Sequence, residues 1–173
     1  MTASRSRALR TVGLTVMVVT VLVAGIGMLS GTAAGETPAP DCTGVSYDGG
    51  DGTADSPYEV TNVSQLQCSG ANHSDASSLS DALGSNYTLV SDIDANDTSS
   101  WNGGDGFDPI GNSSDKFAGT FDGDGYNITG LRIANGSAND VGLFGVVGSA
   151  GSIENVGLED ANVTGNGNVG GLV

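Results

Sequence analysis

The sequence predicts an all-β chain wound as a β-solenoid, preceded by a short helix-containing cap. Three observations predict it. Short segments of β-branched and aliphatic residues alternate with Gly, Asn and Asp every few positions. Glycine supplies 29 of 173 residues, and 18 of those fall in the last 73, where repeated sharp turns would need them. Two segments also align. Ile128-x-x-Leu131-x-Ile133 leads to Val141-Gly-Leu-Phe-Gly, and Ile153-x-x-Val156-x-Leu158 leads to Val169-Gly-Gly-Leu-Val, with spacings of 25 and then 28 residues. A twisted antiparallel sandwich is the competing reading, since two repeats are few.

Residues 1–34 read as an export signal. Arg5, Arg7 and Arg10 precede an uncharged apolar stretch from Thr11 to Leu29, and Thr32, Ala33, Ala34 and Gly35 offer small residues for cleavage. The stretch is also long enough to serve as an uncleaved anchor. Residues 35–57, rich in Pro, Gly and Asp, read as a linker. From residue 58 an ordered region is expected, running to 173. Tyr58-Glu-Val-Thr-Asn reads as a strand. Ser64 is placed to cap a short helix carrying Leu66, and Ser77 to Leu83 as a second helical turn. Tyr87 to Asp94 reads as the next strand, Trp101 to Gly111 as a turn region, and Phe117 onward as repeating strands.

The string Phe117-Ala-Gly119-Thr-Phe121-Asp122-Gly123-Asp-Gly125-Tyr-Asn-Ile128-Thr-Gly-Leu131 is followed by Gly142-Leu143-Phe144-Gly145. Then come Gly151-Ser-Ile-Glu-Asn-Val-Gly-Leu and Val169-Gly170-Gly171-Leu172-Val. This ordered set resembles the GLUG-motif surface proteins, as do Tyr87 to Asp94 upstream and Trp101 followed by Pro109-Ile-Gly. The resemblance implies a right-handed parallel β-helix and an extracellular scaffold or adhesion role. It transfers no catalytic residue. In that family further coils follow the last motif quoted. The expectation is therefore an N-terminal portion of a longer solenoid, whose partners are downstream coils or cell-surface components. An open end that docks on another partner is the alternative.

The composition narrows the function further. Beyond residue 34 there are twenty acidic side chains against Lys116 and Arg132, a formal charge of −18. Such a surface repels phosphate backbones, which excludes nucleic-acid binding, and it is a poor partner for anionic lipid. Membrane association is expected only through the N-terminal signal or anchor. Self-repulsion of this size destabilises a compact state in dilute buffer, whereas about 1 M salt shortens the Debye length to roughly 3 Å and screens it. In this respect the chain resembles haloarchaeal surface proteins. An ordinary acidic secreted protein and a calcium-loaded one are the alternatives.

Candidate sites are few. Cys42 and Cys68, an even count in an exported chain, are expected to pair as a disulfide. His73, in the polar run Asn72-His-Ser-Asp, is expected to be a solvated loop residue, because no nucleophile-elbow pattern accompanies it. Asp92, Asp94, Asp122 and Asp124 are the carboxylates whose proximity could suit glycoside hydrolysis, against a plainer role as turn formers. No cofactor is expected apart from calcium. Gly103-Gly-Asp105-Gly-Phe-Asp108-Pro-Ile matches one nonapeptide calcium repeat, which makes Asp105 and Asp108 weak candidate ligands. Eight Asn-x-Ser/Thr sequons are present. Asn62, Asn72, Asn86, Asn96, Asn112, Asn135 and Asn162 are glycosylation candidates, and Asn127 is disfavoured by its place in a predicted strand. The resulting expectation is a non-catalytic extracellular segment with a structural or adhesive role. The alternative is the accessory β-helix of a secreted peptidase or polysaccharide-degrading enzyme.

Overall fold

The computed structural model describes residues 38–173. The expected export signal lies outside the described residues. No helix among them is long and apolar enough to cross a membrane.

Among the described residues, eleven short strands and two short α-helices make up the framework. Strand β1 (Tyr58–Val60) leads to α1 (Val63–Cys68) and α2 (Leu79–Gly84). Then follow β2 (Tyr87–Leu89), β3 (Ile93–Asp94) and a kinked 3-10 segment, Asn96–Gly104. Next come β4 (Thr120–Asp122), β5 (Asn127–Thr129), β6 (Arg132–Ala134) and β7 (Asn139–Val141). The same order then repeats as β8 (Ser152–Glu154), β9 (Gly157–Glu159), β10 (Asn162–Thr164) and β11 (Gly167–Val169).

Every pairing between these strands is parallel. They form the sheets β1-β2-β4-β8, β3-β5-β9, β6-β10 and β7-β11. The antiparallel sandwich is thereby excluded. Successive tiers put like residues on like. Tyr58, Tyr87, Phe121 and Ile153 form one in-register column. Ile93, Ile128 and Leu158 form a second, Ile133 and Val163 a third, and Val141 and Val169 a fourth. Isolated parallel bridges extend the same stacking to Ile110 on Phe144 and Phe117 on Val147. Period-two alternation turns the end residues of β1 and β2 inward, and the middle residue of β4, β5 and β6. The β4, β5 and β6 pattern is accordingly half-buried, buried, half-buried. Phe121, Ile128, Ile133 and Phe144 are fully buried in one apolar cluster. Each such side chain contributes about 1.5–3 kcal/mol through burial.

The register corrects part of the sequence alignment. The 28-residue match of Val141 with Val169 is the observed pairing. The 25-residue match of Ile128 with Ile153 is not. Ile153 lies on Phe121, and Leu158 lies on Ile128. Inward residues within a tier recur at short steps (Ile153, Leu158, Val163), so a shift by one strand matches apolar to apolar equally well. Sequence pattern alone cannot separate the two registers.

The cap also differs from expectation. Asn62, not Ser64, caps α1, with its Oδ1 accepting from the Gln65 N–H at 3.0 Å. Ser78 caps α2, and its hydroxyl accepts from the Asp81 N–H at 3.1 Å. The expected strand from Tyr87 to Asp94 breaks into β2 and β3. The segment read as a linker packs against the cap over its described part. Tyr47 is buried, its hydroxyl donates to Gln65 O at 2.9 Å, and its ring stacks on Tyr58 at 4.9 Å. Backbone bonds from Ser74 N–H to Val45 O and from Asn86 N–H to Gly52 O hold the same segment at further points.

Candidate functional site

The residues that the sequence singles out run from the cap, through the turns of the middle tiers, to the corners and outer face of the last tier.

In the cap, Cys42 and Cys68 form a disulfide that ties the segment before β1 to the end of α1, across a sequence separation of 26. Beneath it His73 is 1% exposed, contrary to the solvated residue expected. Its ring lies edge-on to Tyr47 and Tyr58, with centroids at 4.8 and 5.2 Å. The Tyr87 hydroxyl donates to Ala82 O at 2.7 Å, so its oxygen is left to accept from His73 Nε2–H at 3.0 Å. That fixes the tautomer and leaves Nδ1 as the bare nitrogen, buried without a hydrogen-bond partner. Burial therefore holds the imidazole below its usual pKa, outweighing the opposing pull of Asp75 and Asp81. Burial likewise pushes the Tyr47 and Tyr87 hydroxyls up. Cap polarity goes into structure. Gln65 Nε2 donates to Ser46 O while its Oε1 accepts from the Thr61 N–H. Gln67 clasps Asp108 at both ends, through Nε2 to the carbonyl and Oε1 from the N–H. Among the described residues the side-chain hydrogen bond of His73 goes to the Tyr87 hydroxyl.

The carboxylates are spent on turns. Asp92 Oδ1 accepts from the Asn127 N–H at 2.9 Å, and Asp94 Oδ1 accepts from Asn96 N and Nδ2. Asp122 Oδ1 accepts from the Asp124 N–H and from Asn155 Nδ2, both at 2.9 Å. The two calcium candidates, Asp105 and Asp108, are exposed, and Asp108 Oδ2 accepts from Asn102 Nδ2 at 3.1 Å. Partial burial raises the Asp108 carboxyl. Among the described residues no group of three or more His, Cys, Asp or Glu side chains could hold a metal ion.

The corners form ladders from tier to tier. Asn155 and Asn168 hold left-handed backbone at φ 51° and 50°, and each donates from Nδ2 to an Asp one tier below, Asp122 and Asp140. Asn166 Nδ2 donates to Asn139 Oδ1 at 3.3 Å. Asn tolerates this conformation better than most side chains, because its short amide bonds locally.

Burial falls off at the last tier. Where Phe121, Ile128 and Ile133 are fully buried, their partners Ile153, Leu158 and Val163 are half-buried. Val141 is buried, and Val169 above it is 46% exposed. Strands β8 to β11 pair on one side only. Most motif residues divide the same way. Phe117, Gly119, Phe121, Gly123, Ile128, Leu131 and the Gly142–Gly145 run are buried, while Asp122 is half-buried and Gly125 exposed at the turn after β4; Gly170 and Leu172 are half-buried and Gly171 is exposed.

No protein-family model matches the chain, and no solved structure matches it. Halomucin of Haloquadratum walsbyi is 47% identical over 127 residues, covering 72% of this chain and 1% of halomucin. A protein of Evansella cellulosilytica described as a Gly-rich membrane protein is 35% identical over 121 residues, covering 68% of this chain and 13% of that protein. The chain therefore spans a small part of the length of both relatives.

Proposed function

We propose that this chain is a structural segment of an extracellular cell-surface protein of a halophile, without catalytic activity of its own. In this reading it is a right-handed parallel β-helix of the GLUG type. The outer face of β8 to β11 is where a further tier of the same kind, or another cell-surface component, would stack. The observation that carries the reading is the tier-on-tier register, in which apolar columns stay in line while the inward residues of the last tier are only half-covered. An uncovered apolar cross-section with free strand edges is a pairing surface. The similarity to halomucin, with its organism, supports the surface and brine parts of the proposal. The charge of −18 beyond residue 34 suits a medium that screens it.

The test is protease shaving of intact source cells in their growth brine, with mass spectrometry of the released peptides. Release of peptides from 58–173 is the expected result. Recovery of those peptides only after lysis overturns the proposal.

A further inference from the structure

Eight sequons lie in the described region, and the fold treats them unequally. We propose that Asn72, Asn112 and Asn162 are N-glycan attachment sites, whereas Asn86, Asn96 and Asn127 stay bare despite carrying the same motif. The inference rests on the extracellular reading above.

Attachment requires Nδ2 to lose a proton and bond to the anomeric carbon of a sugar. The bond from that carbon to the phosphate of a lipid-linked glycan breaks, and the lipid phosphate leaves. An oligosaccharide-transferring enzyme supplies the catalysis. Afterwards the amide must project a bulky, hydrated chain into solvent.

Asn72, Asn112 and Asn162 meet that demand. All three are exposed, and none uses Nδ2 in a hydrogen bond. Asn112 engages only its oxygen, which accepts from the Ser114 and Asp115 N–H groups at 2.8 and 2.9 Å. That Asx turn holds the amide nitrogen outward. Asn162 flanks inward-facing Val163 on β10, so alternation turns it away from the core, along the lateral face and not toward the face on which a further tier would stack. Ser74, Ser114 and Thr164, the hydroxyl residues of these sequons, are exposed as well; Ser74 donates to Val45 O at 2.7 Å but, unlike Thr98, does so at the surface.

The other three sites fail on their own contacts. Asn86 is half-buried and clamped on both ends. Its Nδ2 donates to Gly52 O at 3.1 Å, and its Oδ1 accepts from the Thr120 N–H at 3.0 Å. A glycan there would part β4 from the loop that covers β2. Asn96 donates to Asp94 at 2.7 Å, and its sequon hydroxyl, on Thr98, is fully buried between Ala95 O and the Arg132 N–H. Asn127 Nδ2 donates to Glu159 in the next tier at 3.2 Å, and Gly157 packs against its oxygen so closely that a Cβ there would overlap it. The discrimination is made by the folded chain, which hides these three; any chain modified at them before folding could not close its tiers and would be missing from the folded, exported population. Asn62 and Asn135 are intermediate in these respects and lie outside the proposal.

The experiment expresses the full chain in a haloarchaeal host and maps glycopeptides by mass spectrometry, with the exported glycoproteins of that host as the positive control in the same sample. The expected result is glycan at Asn72, Asn112 and Asn162, and unmodified Asn86, Asn96 and Asn127. Ser114→Ala, which removes the sequon and keeps the Asx turn, should lose one glycan mass. The triple variant Asn72→Gln, Asn112→Gln, Asn162→Gln should lose three glycan masses relative to the wild-type chain. An exported chain that is bare at the first three sites, or modified at Asn86, Asn96 or Asn127, overturns the glycan assignment alone. A chain found only in the cytosol overturns the extracellular reading and the modification with it.

Discussion

Asn168 donates from Nδ2 to Asp140 Oδ1 at 2.8 Å, and both residues hold left-handed backbone, at φ 50° and 58°. The pair joins β7 to β11 at a corner, one tier on the next. Replacing Asn168 with Ala should lower unfolding free energy by about 1–2 kcal/mol, from the lost bond and the Cβ penalty at positive φ. Asn168→Gly should recover part of the loss, because glycine removes only the conformational penalty. Thermal melts in molar salt check both, and equal destabilisation by Ala and Gly would count against a backbone contribution.

The Cys42–Cys68 disulfide closes a loop of sequence separation 26. In the chain-entropy account, opening such a loop costs about 3.5 kcal/mol. A Cys42→Ser, Cys68→Ser double variant should lose roughly that much by denaturant titration, and reduction of the wild type should reproduce the loss.

Protonating His73 should weaken the cap. Its folded pKa lies below the usual 6.5, so the unfolded chain binds more protons as pH drops through that value. Stability contributed by neutral His73 is therefore complete above about pH 7.5 and declines as pH falls toward the depressed folded pKa. Denaturation midpoints between pH 7.5 and 5 measure the slope. His73→Gln should flatten it over this window, above the range where carboxylates titrate.

Gly106 sits at φ +90°, and a Cβ there would collide with the backbone of Arg132. Gly106→Ala should destabilise by about 2–4 kcal/mol, combining backbone strain with displacement of a buried turn. Gly44→Ala, at a site with no atom within 4 Å and no positive φ, is the control and should change stability by less than about 0.5 kcal/mol.

Salt should stabilise the fold through screening. With −18 beyond residue 34, far-UV dichroism should show a cooperative gain in structure as KCl rises from dilute buffer to the molar range. A fold fully intact at low ionic strength without divalent ions would contradict this.

The sequence makes some of this architecture readable and hides the rest for definable reasons. Asn at turn positions in a chain of short strands points to left-handed corners, and Asn155 and Asn168 occupy them. The paired cysteines point to the disulfide. The register at β8 is hidden, because Ile153, Leu158 and Val163 are interchangeable to any pattern that counts only apolar residues. The environment of His73 is hidden too. Its neighbours in sequence are polar, and the rings that bury it come from Tyr47, Tyr58 and Tyr87 on three separate segments. What ties up the amides of Asn86 and Asn127 is likewise long-range pairing that no local motif encodes.

The position of the disulfide has a consequence for assembly. Both sulfurs belong to the first 68 residues, ahead of every tier from β2 onward. On a chain delivered N-terminus first, the cap can oxidise and set while the remainder is still in transit. Each arriving strand then meets an edge already formed. Growth from a finished template in one direction avoids the search among registers that the repeating apolar steps would otherwise permit.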